Sequence, residues 1–251
     1  MLLAVNIGNS NIRFAVMEDN KVHLSWTIAT KPYRTAGEFY ITFQTYKEQY
    51  KNAFNKITKI VIGSVVPQQT QIIAKMLQKT FQVKPFVVNR DTPSAVSHHS
   101  NQMGTDLYAN AVASHYLYPN QKKIIIDFGT ATTYDVLKKG VYIGGGILPG
   151  IDMSINALYG NTAKLPRVKF TTPSSVLGTD TMKQIQAAIF FGYAGQIKHI
   201  IKKINEELNE EIFVLATGGL GKILSAEIDE IDEYDPNLSL YGLYTLYKLN
   251  K

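Results

Sequence analysis

An apolar strand that closes on a glycine turn occurs twice in this chain. LLAVNIGNSNIRFAV, at the N-terminus, returns at mid-chain as KIIIDFGTATTYDVL. Placing Asn6 over Asp127, an offset of 121 residues, also brings Gly8 over Gly129, Asn9 over Thr130, Ser10 over Ala131, Asn11 over Thr132 and Val16 over Leu137. Self-similarity of this kind constrains the fold strongly, because each copy specifies one supersecondary unit. Two related halves are expected, residues 1–115 and 116–251. In each copy β-forming residues end in a carboxamide or carboxylate. An apolar residue, a glycine, a small polar pair and a second alternating run follow, which reads as a tight hairpin. Glycine there admits a positive φ and lets a phosphate approach backbone N–H groups, with Asn9, Ser10, Thr130 and Thr132 as short side-chain donors. A single such turn is explained by turn geometry alone. Two at equivalent places point to phosphate binding.

With 251 residues, 45% of them hydrophobic and 18% charged, the chain can bury a full core. No apolar run approaches the ~18 residues of a membrane span, and MLLAVNIG lacks the basic flank of a signal peptide. A soluble cytoplasmic protein without a membrane partner is expected. The absence of cysteine excludes disulfides and thiolate metal sites. The net charge of +6 is spread along the chain, with one short cluster at Lys198, Lys202 and Lys203. Its spacing in IKHIIKKINEEL sets the charges opposite the isoleucines, as on a solvated helix face, so no nucleic-acid partner is read from it.

The first half reads as strands near 2–7, 11–17 and 22–28, a helix over 36–51, the strand KIVIGSVV, the helix QTQIIAKMLQKTF and the strand PFVV. Residues 84–101 read as an irregular connection to a helix starting near Gly104. The second half follows the same order, with strands near 122–127, 132–137 and 140–147 and a helical segment after Pro149. A long helix over 180–208, the strand EIFVLATGG and a helix over 220–228 complete it. The expected class is α/β: two mixed sheets flanked by helices, with a cleft between the halves where the glycine turns meet and a nucleotide sits.

With GTDLYANAVA and LATGGLGKIL added to the two turns, the chain resembles the type III pantothenate kinases along essentially its whole length. NIGNSN stands where that family has Asp-x-Gly-Asn-Thr/Ser, and GTDL where it has Gly-x-Asp-Arg. DFGTATTYD, GGGILPG, TAKLP and LGTDTMKQIQ follow in the family order. The resemblance implies a duplicated actin-like (ribonuclease H-like) fold and a homodimer. It also implies ATP-dependent phosphorylation of pantothenate in coenzyme A biosynthesis, with Mg2+ and a monovalent cation, K+ or NH4+.

Residue by residue, the resemblance makes Asp106 the catalytic base and Gly104, Thr105, Asp106, Leu107 and Thr181 the pantothenate contacts, Thr181 across the dimer interface. ATP would meet Asn6, Ile7, Gly8, Asn9, Ser10, Asn11, Arg13, Thr130 and Thr132, and Asp127 would hold the monovalent cation. A carboxylate suits the role of Asp106, since phosphoryl transfer through a loose transition state asks chiefly for positioning. Thr105 as a helix cap and Asp106 as a first-turn acid is the structural alternative. Asp127, an acid at the end of an apolar strand, is expected to have a cation or a hydrogen-bond network around it. GGGILPG is implied to lie near the dimer contact, and Gly218 and Gly219 near the nucleoside.

Two positions depart from the pattern. Asn6 replaces an aspartate and loses the charge a hard cation prefers. Leu107 replaces an arginine and can neither pair with an anion nor donate a hydrogen bond from its side chain. Ser97, His98 and His99 stand where the family carries an aromatic residue, and the adjacent histidines point different ways in extended chain, which argues against a metal pair. Leu107 leaves open a kinase of this fold for another small alcohol, and Asn6 a nucleotide-binding regulatory homologue; the retained Asp106 favours the pantothenate kinase.

Overall fold

A computed structural model describes residues 1–98, 102–119 and 121–251, and its contacts divide the chain into two units. One comprises Met1–Leu117 with Asn237–Lys251, the other Tyr118–Pro236.

In the first unit β1 (Leu2–Ile7), β2 (Asn11–Glu18) and β3 (Lys21–Ala29) form an antiparallel meander. The helices α1 (Ala36–Gln49) and α2 (Lys51–Phe54), β4 (Lys59–Ser64), α3 (Pro67–Phe81), β5 (Phe86–Val87) and α4 (Thr105–Leu117) follow. The sheet order is β3-β2-β1-β4-β5, with β4 and β5 parallel to β1. LLAVNI is apolar on both faces because β1 is central and covered on both sides. One face carries Leu3, Val5, Ile7, Phe14 and an aromatic group in which Phe14 and Trp26 stack at 5.0 Å. Helix α1 opens on a capping box, the Glu38 N–H donating to Thr35 Oγ1 and the Thr35 N–H to Glu38 Oε2.

The second unit repeats the plan: β6 (Lys123–Phe128), β7 (Ala131–Lys138), β8 (Val141–Pro149), α5 (Ile151–Gly160), α6 (Thr181–Leu208), β9 (Phe213–Thr217), α7 (Gly221–Ser225) and β10 (Glu233–Tyr234). Its order, β10-β9-β6-β7-β8, mirrors the first sheet. Ile124, Ile126 and Phe128 pack with Ile155, Phe190, Ile197 and Val214 in its core. The α/β duplication expected from the repeated turn is the architecture found. Lys202 and Lys203 are exposed on α6 and pair with Glu206, as a solvated face predicts.

The repeat itself is one residue less regular than the sequence alignment states. Ile7 pairs with Ile12 across the first turn, but Phe128 pairs with Thr132 across the second, which is therefore one residue shorter. The offset of 121 holds for β1 and β6. It becomes 120 for β2 and β7, where the register breaks fall at Val16/Met17 and Val136/Leu137. Asn11 thus corresponds to Ala131, Ile12 to Thr132 and Val16 to Val136. Nor do Gly8 and Gly129 take a positive φ. Left-handed backbone lies instead at Asp19, Asn20, Lys139 and Gly140, in the two-residue hairpins β2–β3 and β7–β8. Gly8 and Gly129 serve close approach: a Cβ would stand 3.2 Å from the Asn11 carbonyl oxygen and 3.2 Å from Asp127 Oδ1, respectively.

The last helix, α8 (Leu238–Asn250), groups with the first unit, although the sequence assigns these residues to the second half. It packs on α4, β1 and β4 through Leu238, Leu240, Leu243 and Leu246, all fully buried. Helix α7 is shorter than the expected 220–228, and α2, β10 and α8 carry no expectation from sequence.

Candidate active site

In the first unit the C-terminal ends of β1 and β4 meet the start of α4. The Val65 N–H donates to the Ile7 carbonyl at 3.0 Å, and Thr105 Oγ1 donates to the Ser64 carbonyl at 2.7 Å. Thr105 is therefore a strut between α4 and β4 rather than a cap; the first helical carbonyl acceptor is that of Gly104, bonded by the Tyr108 N–H. Carboxyl ends of strands are the usual ligand edge of such sheets. Asp106 sits there, half-buried, its Oδ1 accepting the Leu107 N–H at 2.8 Å. A Cβ on Gly104 would stand 2.5 Å from that oxygen, so residue 104 must be glycine for the carboxylate to lie where it does. Burial pushes the Asp106 pKa above the ordinary carboxylate value, against the pull of the backbone N–H groups.

The first glycine turn is braced rather than free. Thr30, fully buried, donates its hydroxyl to the Gly8 carbonyl at 2.7 Å and its N–H to the Ser10 carbonyl at 2.8 Å. Asn9, Ser10 and Asn11 remain exposed at the tip. The Ile7 side chain is fully buried and its carbonyl is taken by the Val65 N–H. Behind the turn, Asn6 Nδ2 donates to Ser239 Oγ at 3.0 Å and Arg13 Nη2 to Asn237 Oδ1 at 2.9 Å. Neither Ser239 nor Asn237 is singled out by any local pattern. They lie 233 and 224 residues from their partners.

In the second unit Asp127 is the penultimate residue of β6. Its Oδ1 is flanked by Gly129 and by Gly218, whose φ of +90° and whose Cβ, 2.6 Å from that oxygen, both exclude other residues. The Gly218 approach expected from LATGGLG is thus to the Asp127 carboxylate and the Phe128 backbone. Thr130 is exposed at the turn. Thr132 is not. Its side chain is fully buried and its hydroxyl has no partner among the described residues, the consequence of the shorter turn, which sets it at the place of the buried Ile12. Asp135, two residues beyond Thr133 on β7, is also buried. It accepts the hydroxyl of Tyr142, whose pKa rises to about 12 through burial first and the Asp135 charge second. Thr181 is exposed at the first position of α6, behind the N-cap Asp180, whose Oδ1 takes the Lys183 N–H at 2.9 Å.

His98, half-buried, donates from Nε2 to the Arg90 carbonyl at 2.9 Å and rests edge-on against Tyr108 at 5.5 Å; His99 lies outside the described residues. Tyr108, buried, is hydrogen-bonded to the Thr92 carbonyl and Ser94 Oγ, which ties the connecting loop to α4. Leu107 is half-buried and offers only its backbone to polar groups. Among the described residues no three His, Cys, Asp or Glu side chains gather as a metal cage, and no helix is long and apolar enough to cross a membrane.

The type III pantothenate kinase family model matches residues 2–203. The chain belongs to the type III pantothenate kinases. A type III pantothenate kinase of Fusobacterium nucleatum subsp. nucleatum is 60% identical over 256 residues, covering all of both chains. One of Bacillus cytotoxicus is 39% identical over 254 residues, covering 100% of this chain and 97% of the other. Solved structures extend the likeness of fold alone. A protein of Campylobacter jejuni described as a Baf family transcriptional activator superposes with a TM-score of 0.63 at 22% identity, covering 99% and 98% of the two chains. One of Listeria monocytogenes described as an N-acetylmannosamine kinase does so at 0.54 and 11%, covering 100% and 99%. The type III pantothenate kinase chain thus has the duplicated actin-like fold of the sugar kinases.

Proposed function

We propose that the chain transfers the γ-phosphoryl group of ATP to the primary hydroxyl of pantothenate, giving 4′-phosphopantothenate and ADP, the first step of coenzyme A biosynthesis, in the cytoplasm. The observation that carries the residue assignment is the partly desolvated Asp106 carboxylate at the strand ends of the first unit. It accepts a hydrogen bond from the substrate hydroxyl and takes its proton as the new P–O bond forms and the bond to the leaving ADP breaks. Because the transition state is loose, orientation and charge neutralisation supply most of the acceleration.

The exposed Asn9, Ser10 and Asn11, with Asn6, Arg13 and Thr130, serve as ATP contacts; Gly8, whose N–H bonds the Asn11 carbonyl and whose carbonyl bonds Thr30, contributes only the close approach its missing side chain allows. Thr132 is left out of this set because its hydroxyl is enclosed. Gly104, Thr105 and Thr181 remain for pantothenate, and Leu107 contributes only apolar surface. Mg2+ needs few protein ligands when phosphates are present, and Asn6 offers it one neutral oxygen. The Asp127 carboxylate fits a monovalent cation, since the missing side chains at Gly129 and Gly218 leave its Oδ1 bordered by backbone. Both ions, when bound, neutralise phosphate charge. Asn6→Asp lowers the half-saturating Mg2+ concentration, because a carboxylate keeps the Ser239 bond as an acceptor and adds charge. A Mg2+ titration of turnover that does not move would remove position 6 from the metal's surroundings.

The homodimer is proposed through the second unit, where Ile143, Ile147, Met153, Leu158 and Tyr159 of β8 and α5 are 37–74% exposed. Sedimentation should find a dimer that Ile147→Asp weakens; a monomeric wild type overturns it. The reaction is tested by ADP release with ATP, Mg2+ and K+, with and without pantothenate, and by the mass of the product. ATP binding without pantothenate-dependent product would point to another alcohol.

A further inference from the structure

We propose that Asn237 and Ser239, at the start of α8, are positioning residues for the ATP-contacting pair Arg13 and Asn6; the proposal rests on the ATP site described above. Arg13 of β2 stands opposite Asn6 of β1, and Asn6 opposite Gly63 of β4, so the three residues form one row across the sheet. Helix α8 meets every member of that row. Asn237 accepts from Arg13 at 2.9 Å, Ser239 accepts from Asn6 at 3.0 Å, and Leu243 fills the space that a Cβ on Gly63 would take, 2.5 Å from Leu243 Cδ2.

Asn237 is the N-cap of α8, yet its side chain makes no cap bond. Asparagine is among the strongest capping residues, and here its oxygen turns to the guanidinium instead. Ser239, unlike the half-buried Asn237, is buried, and its hydroxyl oxygen accepts the Asn6 amide. The bond from Arg13 Nη2 to Asn237 Oδ1 fixes the direction in which the planar guanidinium faces. Anchoring the Asn6 amide nitrogen in the same way sets the direction of its oxygen. Helix α8 also touches the helix that bears Asp106, since a Cβ on Gly242 would overlap the Ala109 carbonyl. One helix therefore holds both the residues behind the phosphate turn and the helix of the base.

The test is steady-state kinetics of the full chain. Asn237→Ser keeps an N-cap but is too short to reach Arg13, whereas Asn237→Asp keeps the acceptor. Asn237→Ser and Ser239→Ala should each raise KM for ATP about fivefold, the worth of one hydrogen bond, with KM for pantothenate unchanged; Asn237→Asp should restore the ATP value. A purely structural role would lower thermal stability and leave KM for ATP alone. Arg13→Ala serves as reference. If it raises KM for ATP while Asn237→Ser and Ser239→Ala do not, the positioning role is overturned and the ATP site stands. If Arg13→Ala leaves KM for ATP unchanged, the ATP-site reading fails and the positioning role with it.

Discussion

Asp106→Asn lowers turnover by about 10²- to 10⁴-fold, the usual worth of a positioned base, while the protein folds and is at least as stable at neutral pH. The stability half follows from the direction of the pKa shift. Burial raises the carboxyl above its ordinary value, so the folded state favours the protonated acid. A group shifted this way contributes stability that is fully present below its unfolded pKa and is lost as pH rises through the higher folded one. Where Asp106 is ionised, the wild type carries a partly desolvated carboxylate at a cost. Asparagine removes that cost, and its oxygen can still accept the Leu107 N–H. The stability difference between variant and wild type should shrink as pH falls through the carboxylate range. In the wild type kcat/KM should fall with decreasing pH through the Asp106 pKa, at a pH higher than an ordinary aspartate would give. Turnover of the Asn variant equal to wild type would make Asp106 a helix-start residue only.

Gly242→Ala is expected to destabilise the protein by about 1–3 kcal/mol, the range for overpacking a tight interior. The added Cβ would meet backbone, the Ala109 carbonyl, which cannot rotate away as a side chain can. Helices α4 and α8 must then separate, and because α4 carries Asp106, turnover should fall beyond what the unfolded fraction explains. Gly195→Ala gives the contrast. On α6 its Cβ meets nothing within 4 Å, so replacing a mid-helix glycine should stabilise by about 0.5–1 kcal/mol. Urea midpoints distinguish the two. A midpoint for Gly242→Ala equal to that of the wild type would show that the α4–α8 contact yields at no cost.

The elements that were legible in sequence are those whose signal is local. The apolar β-forming runs before Asn6 and Asp127 and the apolar spacing of α6 depend on neighbours within a few residues, and each folds where its pattern lies. GTDL likewise marks the start of α4, where Asp106 is found. Thr132 shows where local reading fails. A turn shorter by one residue changes nothing in composition, yet in a structure of period two it moves a hydroxyl from the ligand edge into the interior.

The sequence by itself determined two copies of one strand-turn-strand device, the α/β class, the type III pantothenate kinase family and Asp106 at a helix start. Only the tertiary structure decided that the last helix returns to the first unit, that Ser239 and Asn237 stand behind Asn6 and Arg13, and that the second turn is shorter than the first. The physical reason is range. Strand and helix propensities are summed over adjacent residues, whereas these hydrogen bonds join groups more than two hundred residues apart, and what pairs them is the burial of the leucines of α8 against α4 and β1.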